Sequence, residues 1–344
     1  MHQMGICEAM AELGHDVTLH IRPGDELTPD DHAFYGVKPN FRIEKHPRPQ
    51  VRGWGAIVNA VHVGRHIRTR SFPDLVYARE QYGLACTVGT GVPFVFEAHW
   101  RPRYRLQRET EAWLYRQPNF RRLVVISHGL RRIYRELFPW LPEERVVVAH
   151  DAANPPRHAV SSDAPRASTR LQVGYVGGML PGYGIEVIVA VARANPDVDV
   201  HIVGGKEDSI RMWRARTRDV ANLTLHGFVP PEHLPAHYAN FDVMMAPFQR
   251  STPSIEWISP MKLFEYMAYE KAIVCADFPI MREILSDGET ALLVPADDIS
   301  AWSDAIRRLK TESLRRELGS AALRRLQATH TWRRRAETVL ADLS

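Results

Sequence analysis

Residues 251–277, STPSIEWISPMKLFEYMAYEKAIVCAD, run from a polar Ser/Pro loop into a helix and then into an apolar strand. Ser259 suits an N-cap and Pro260 the first helical position, while Leu263, Phe264, Met267 and Ala268 recur at the spacing of one buried helix face. Lys262 and Glu265 stand three apart on another face. A first-turn lysine meets the positive end of the helix dipole, which weakens a helix standing alone. The same lysine, beside backbone N–H groups that have no partner within the helix, suits a phosphate. The plainer alternative is a surface Lys262–Glu265 pair contributing about 0.2–0.5 kcal/mol.

The helix–strand alternation continues on both sides. DVTLHI, DLVYA, FVFEA, LVVIS and VVVAH read as strands in the first half, and QVGYVG, VDVHIVG, LTLHGF, DVMMAP, AIVCA and ALLVP in the second, with amphipathic stretches between them. That pattern predicts parallel sheets covered by helices on both faces. Residues 154–170, NPPRHAVSSDAPRASTR, lack any apolar period and read as a connection. The expected organisation is α/β: a Rossmann-like domain over 1–154, a linker over 155–169, and a second doubly wound domain with closing helices over 170–344. Two such domains joined once enclose a cleft at the carboxyl ends of their strands. The first domain opens with a helical pattern (Met4, Cys7, Met10, Leu13) where a strand is usual. Its first strand is expected upstream rather than absent, since a missing central strand leaves backbone groups unpaired.

The 344 residues are 45% hydrophobic and 24% charged, the balance of a globular enzyme rather than of a disordered or fibrous chain. The longest apolar stretch, 82–96, is broken by glycines and Pro93, too short to span a bilayer. Cys7, Cys86 and Cys275 have no metal or redox spacing, which favours reduced thiols and a cytoplasmic location. In residues 101–123, RPRYRLQRETEAWLYRQPNFRRL, arginines alternate with Tyr104, Trp113, Tyr115 and Phe120. A solvated helix with its aromatics turned inward is the simpler reading; the sharper one is peripheral contact with a membrane face or an anionic substrate. No nucleic-acid-binding module accompanies the charge, so no nucleic-acid partner is expected.

Two further stretches carry candidate chemistry. In VGYVGGMLPGYGIEVIVAVA, residues 173–192, glycines let the backbone approach a ligand, although the spacing is not that of a dinucleotide fingerprint. In VPFVFEAHW, Glu97 and His99 share one side of a strand at the cleft end, so Glu97 is a candidate for an acceptor hydroxyl. A lone histidine is more often structural. Arg79 and Glu80, following DLVYA, are weaker cleft candidates against a surface ion pair. Asp197 and Asp199 begin a strand, away from its ligand end, and no metal site is expected.

The order SPMKLFEYMA, AIVCAD, Pro279, REIL, DGETALLVPADD and a closing helix resembles the C-terminal donor domain of glycosyltransferase family 4, a retaining family of GT-B fold. The resemblance implies that Glu265 bonds the ribose of a nucleotide sugar and that Ile258, Ser259, Pro260, Met261 and Lys262 hold its diphosphate and sugar. Gly177 and Gly178, with Lys206 as a second cation, would also face the phosphates. Phe228 and Val229 would lie against the base, and His99 would contact the transferred sugar and support charge at the reaction centre. The implied activity is metal-independent hexosyl transfer, with retention, from a nucleoside-diphosphate sugar to a hydroxyl of a glycan, lipid-linked sugar or small molecule, without a cofactor. Two departures stand out: Gly178 and Tyr183 replace expected basic residues, and Trp257 occupies the place, eight before Glu265, of an expected glutamate. They leave room for a degenerate nucleotide-sugar-binding partner subunit. An epimerase or a phosphorylase on the same fold are further alternatives.

Overall fold

The computed structural model describes residues 2–21, 30–46, 55–70, 72–157 and 169–343, so 158–168 of the expected linker lie outside it. The first half runs α1 (His2–Glu12), β1 (Thr18–Ile21), α2 (Asp31–Tyr35), β2 (Arg42–Lys45), α3 (Gly55–Arg70), β3 (Val76–Ala78), α4 (Gln81–Thr87), β4 (Phe94–Ala98), α5 (Arg105–Leu114), β5 (Phe120–Val125), α6 (His128–Leu137) and β6 (Val146–Val148). β3, β4, β5 and β6 form a parallel sheet in chain order, whereas β1 and β2 pair separately, also parallel, with Thr18 opposite Arg42. Among the described residues no strand joins β1 to β3. The sequence pattern overlooks β2, because Arg-Ile-Glu-Lys has one apolar residue and no alternation to reveal it.

The second half contains β7 (Gln172–Val176), α7 (Ile185–Ala194), β8 (Asp199–Val203), α8 (Glu207–Arg216), β9 (Leu223–Gly227), α9 (Leu234–Asn240), β10 (Val243–Ala246), α10 (Met261–Ala268), β11 (Ala272–Ala276), β12 (Leu292–Val294), α11 (Ile299–Arg308), α12 (Glu312–Thr329) and α13 (Trp332–Leu340). Its sheet is parallel throughout, in the order β12-β11-β10-β7-β8-β9. The chain runs outward from β7 to β9, crosses over, and runs outward again from β10 to β12, so its direction reverses between β7 and β10. Ligands of such sheets bind in the crevice at that reversal. β10 and β11 are buried at every position, as strands covered on both faces must be.

Helix α13 leaves the second domain and returns to the first. Trp332, Ala336 and Val339 pack with Met4, Ile6 and Ala9 of α1, and a Cβ at Gly5 would lie 2.5 Å from the Trp332 indole. Arg122 of β5 donates to the carbonyls of Thr338, Val339 and Ala341 at 3.2, 3.1 and 2.7 Å, satisfying the end of α13. The sequence boundary at 170 groups α13 with the second half; by packing it belongs to the first. Cys7, Cys86 and Cys275 are free thiols. No described helix is long and apolar enough to cross a membrane.

Candidate active site

Helix α10 follows β10 at the reversal point. Leu263, Phe264 and Met267 are wholly buried, as the helical stripe predicts. Each such side chain stabilises the fold by about 1.5–3 kcal/mol. The N-cap differs from expectation: Pro260 holds that position, with no side-chain capping bond. Ser259 is buried, and its Oγ accepts the backbone N–H of Asp151 at 2.8 Å, just beyond β6 of the other domain. The serine ties the two domains together instead of closing the helix. The N–H groups of Met261 and Lys262 have no acceptor among the described residues.

Lys262 turns back beneath the glycine loop. Its Nζ donates to the Tyr175 hydroxyl at 2.8 Å, and that hydroxyl donates to the Gly178 carbonyl at 2.7 Å. The ammonium lies 4.0, 5.0 and 4.9 Å from the ring centres of Tyr175, Tyr183 and Phe248. Burial pulls its pKa down to about 7 despite the opposing pull of Glu265. Gly177, at φ +149°, comes so close that a Cβ there would stand 2.9 Å from Nζ. Tyr183, where a basic residue was expected, is thus a wall of the cage around Lys262. Cage stabilisation by ring faces is worth roughly 0.5–2 kcal/mol per contact.

Glu265 forms no ion pair with Lys262. Its Oε2 accepts the Tyr238 hydroxyl at 2.8 Å, and burial raises its pKa. The loops after β7, β8 and β9 lie side by side: a Cβ at Gly204 would be 2.3 Å from the Gly177 carbonyl. Exposed Lys206 follows at the start of α8, while Phe228 is 72% exposed beyond β9 and Val229 is partly buried. Trp257 is buried in the first domain's core, its carbonyl accepting from Ser127 Oγ at 2.8 Å, and Glu256 beside it is exposed. The position expected to hold a sugar-binding acid therefore faces the other domain. Ile258 packs on the second core and Met261 on the cluster beneath α1 and α13.

Across the cleft, Glu97 is wholly buried in β4 and both of its oxygens are engaged. Oε2 accepts from Arg335 Nη1 at 3.1 Å and from the Tyr77 hydroxyl, and Oε1 bonds His99 Nε2. Burial alone would raise its pKa, but Arg335, with His2 and His99, holds it well below the carboxylate range. Against an ionised Glu97, Nε2 of His99 is the donor of that bond. His2 Nε2 lies 3.2 Å from Glu97 and 3.1 Å from Asp151, and Arg79 reaches His2 at 3.3 Å and Glu97 at 3.7 Å. Glu97 thus sits behind His99, not at an open surface for an acceptor. Glu80 caps α4, accepting from the Tyr82 and Gly83 amides.

The sequence-predicted residues Lys262, Glu265, Gly177 and Gly178 converge at the reversal point, with Lys206 and Phe228 on adjoining loops. His2, Asp151, Arg335, Tyr175 and Tyr238 escaped sequence reasoning. Arg335 lies 238 positions from Glu97, beyond any local pattern. The one available signal was the charge of Glu97 inside an apolar strand, which requires a cationic partner.

The fold is the GT-B architecture. Sucrose-phosphate synthase from Thermosynechococcus elongatus superposes over 97% of this chain and 90% of its own with a TM-score of 0.69 at 18% identity. Anabaena HepE in complex with UDP-glucose gives 0.66 over 95% of this chain and 99% of its own at 13% identity. WaaG, a glycosyltransferase involved in lipopolysaccharide biosynthesis, gives 0.69 over 99% and 95% at 12% identity. The model of "Glycosyltransferase Family 4" matches residues 2–156 and that of "Glycosyl transferases group 1" residues 170–312. The chain belongs to glycosyltransferase family 4, as a hexosyltransferase-type enzyme. It is similar to the alpha-maltose-1-phosphate synthase of Mycolicibacterium smegmatis, 26% identical over 330 residues, which covers 86% of this chain and 85% of that protein.

Proposed function

We propose that this glycosyltransferase moves a hexose from a nucleoside-diphosphate sugar to an acceptor hydroxyl with retention of configuration and without a metal. The supporting observation is a continuous polar path between the halves. Ser259 at the start of α10 bonds Asp151, Asp151 adjoins His2, His2 adjoins Glu97, and Glu97 bonds His99. It fixes the phosphate-binding helix start against the histidine at the sugar. The α10 amides and Lys262 neutralise the departing diphosphate, and Glu265 takes the ribose. Phe228 and Val229 flank the base, and His99 orients the sugar. The leaving phosphate itself accepts the acceptor's proton, so no protein nucleophile is needed.

UDP-glucose bound to the Anabaena neighbour makes uridine sugars the first donors to test. The acceptor is a hydroxyl of a sugar, glycan or lipid-linked sugar. Exposed Trp100, Tyr104, Leu106 and Trp113, interspersed with exposed Arg101, Arg103 and Arg105, suit a peripheral contact with the cytoplasmic membrane face. The family match disfavours the epimerase and the inactive-partner alternatives.

The test is turnover of a nucleotide-sugar panel with mixed acceptors, with and without EDTA, following released nucleoside diphosphate and the anomeric configuration by NMR. An α-linked product from an α-linked donor at undiminished rate in EDTA is expected. An inverted product, or loss of turnover in EDTA, overturns the mechanism; an epimerised donor without acceptor overturns the transfer.

A further inference from the structure

A second concentration of histidine lies on β1, β2 and α3, sharing no residue with the His99 cluster. His20 is in β1, Glu44 in β2, His46 just beyond β2, and His62 and His66 are one turn apart on α3. His20 Nδ1 lies 2.8 Å from His46 Nε2 and 3.7 Å from Glu44 Oε2, while His66 Nε2 bonds the same carboxylate oxygen at 2.7 Å. The rings of His46 and His66 stand 5.4 Å apart, as do those of His20 and His66, and His62 is 5.3 Å from His46. One donor atom each from His20, Glu44 and His46 falls within 4.8 Å of the others.

We propose that His20 Nδ1, His46 Nε2 and Glu44 Oε2 bind a divalent first-row transition metal of zinc type, with His66 positioning Glu44. Tetrahedral ligands at about 2.0–2.2 Å from zinc stand roughly 3.3 Å apart. The distances of 2.8 and 3.7 Å bracket that value. The proton now shared between the facing imidazole nitrogens moves to the far nitrogen of its own ring, a tautomer change that alters no charge. Two imidazoles and a carboxylate favour zinc, nickel or copper over magnesium or calcium. His66 on Glu44 is the outer hydrogen bond that orients a ligating group.

The location supplies a purpose. Among the described residues β1 and β2 form a two-stranded sheet, and such a pair is marginal without further support. Glu44 and His20 come from the two strands, so an ion would tie them directly, while His66 of α3 holds Glu44 from the neighbouring helix.

Zn2+ titration of the untagged chain by calorimetry, with Mg2+ as control, tests this. One Zn2+ per chain with micromolar or tighter affinity and a raised Tm is expected. His20→Ala/His46→Ala should weaken it at least a hundredfold, whereas His201→Ala/His226→Ala, which removes the facing histidine pair between β8 and β9, should not. Co2+ added to the unmutated chain should give the intense visible absorption of a four-coordinate site, displaced by Zn2+. Weak six-coordinate bands, or equal zinc affinity in the first double variant, overturns the proposal.

Discussion

Lys262 donates to the hydroxyl of Tyr175 at 2.8 Å while lying over that same ring. The lysine that opens α10 is thus held by the last strand residues before the glycine loop, and its depressed pKa of about 7 makes donor binding sensitive to pH. If Lys262 holds the diphosphate as proposed, the ammonium present below about 7 pairs with it and the neutral amine above about 7 does not. Nucleoside-diphosphate affinity should fall as pH rises from 6 to 8, with proton uptake on binding near 7 detected by calorimetry in buffers of different ionisation enthalpy. Lys262→Met should weaken binding and flatten the profile; an unaltered profile in that variant would remove Lys262 from the phosphate site.

Glu265 takes one hydrogen bond from Tyr238, and in the proposed function its other oxygen takes the ribose. Bonds to a charged group contribute about 1.5–3 kcal/mol. Glu265→Ala should therefore raise the donor Kd roughly 10- to 100-fold with little change in Tm. Equal donor affinity in the variant excludes the ribose role.

Arg335→Met strips Glu97 of its principal counter-charge. Removing one partner of a buried ion pair costs about 3–5 kcal/mol, so the variant should melt well below the parent and lose turnover even where folded. Because the folded pKa of Glu97 is depressed, its stabilisation is present above the unfolded value of about 4.3 and is lost as pH falls through the folded one. Acid melting of the parent should show a loss of stability below pH 4 that Arg335→Met lacks.

Gly184 has φ +76°, and a Cβ there would fall 1.8 Å from the Pro247 carbonyl. Gly184→Ala should cost at least about 1–3 kcal/mol in backbone strain, read as a lower denaturation midpoint. Gly288→Ala, at φ +74° with nothing near its Cβ, is the matched control for strain without collision. Equal losses in the two would mean that the contact with Pro247 is unimportant.

The second domain was largely legible in the sequence because its strands are apolar runs between glycine or proline signals, and its helix α10 carries an unbroken 3.6-residue stripe. Lys262 and Glu265 were legible because their charges share a second face of the same short helix, beside that stripe. What was not legible came from long-range closure. Ser259 looked like a cap because serine before proline fits one, yet its hydroxyl is drawn to Asp151 of the other domain. Trp257 looked like a lost acid because spacing is blind to which domain a loop side chain enters. The role of Glu97 depends on Arg335 and His2, which no local pattern joins.

The return of α13 to the first domain also orders biosynthesis. Glu97 is made 238 residues before its guanidinium partner. The first domain can form its sheet during translation, yet it cannot pair its buried carboxylate with Arg335 or cover α1 with Trp332 until α13 has been made. A chain stopped short of α13 would therefore carry an unsealed first domain, and competence to bind both substrates would arrive in a single late step.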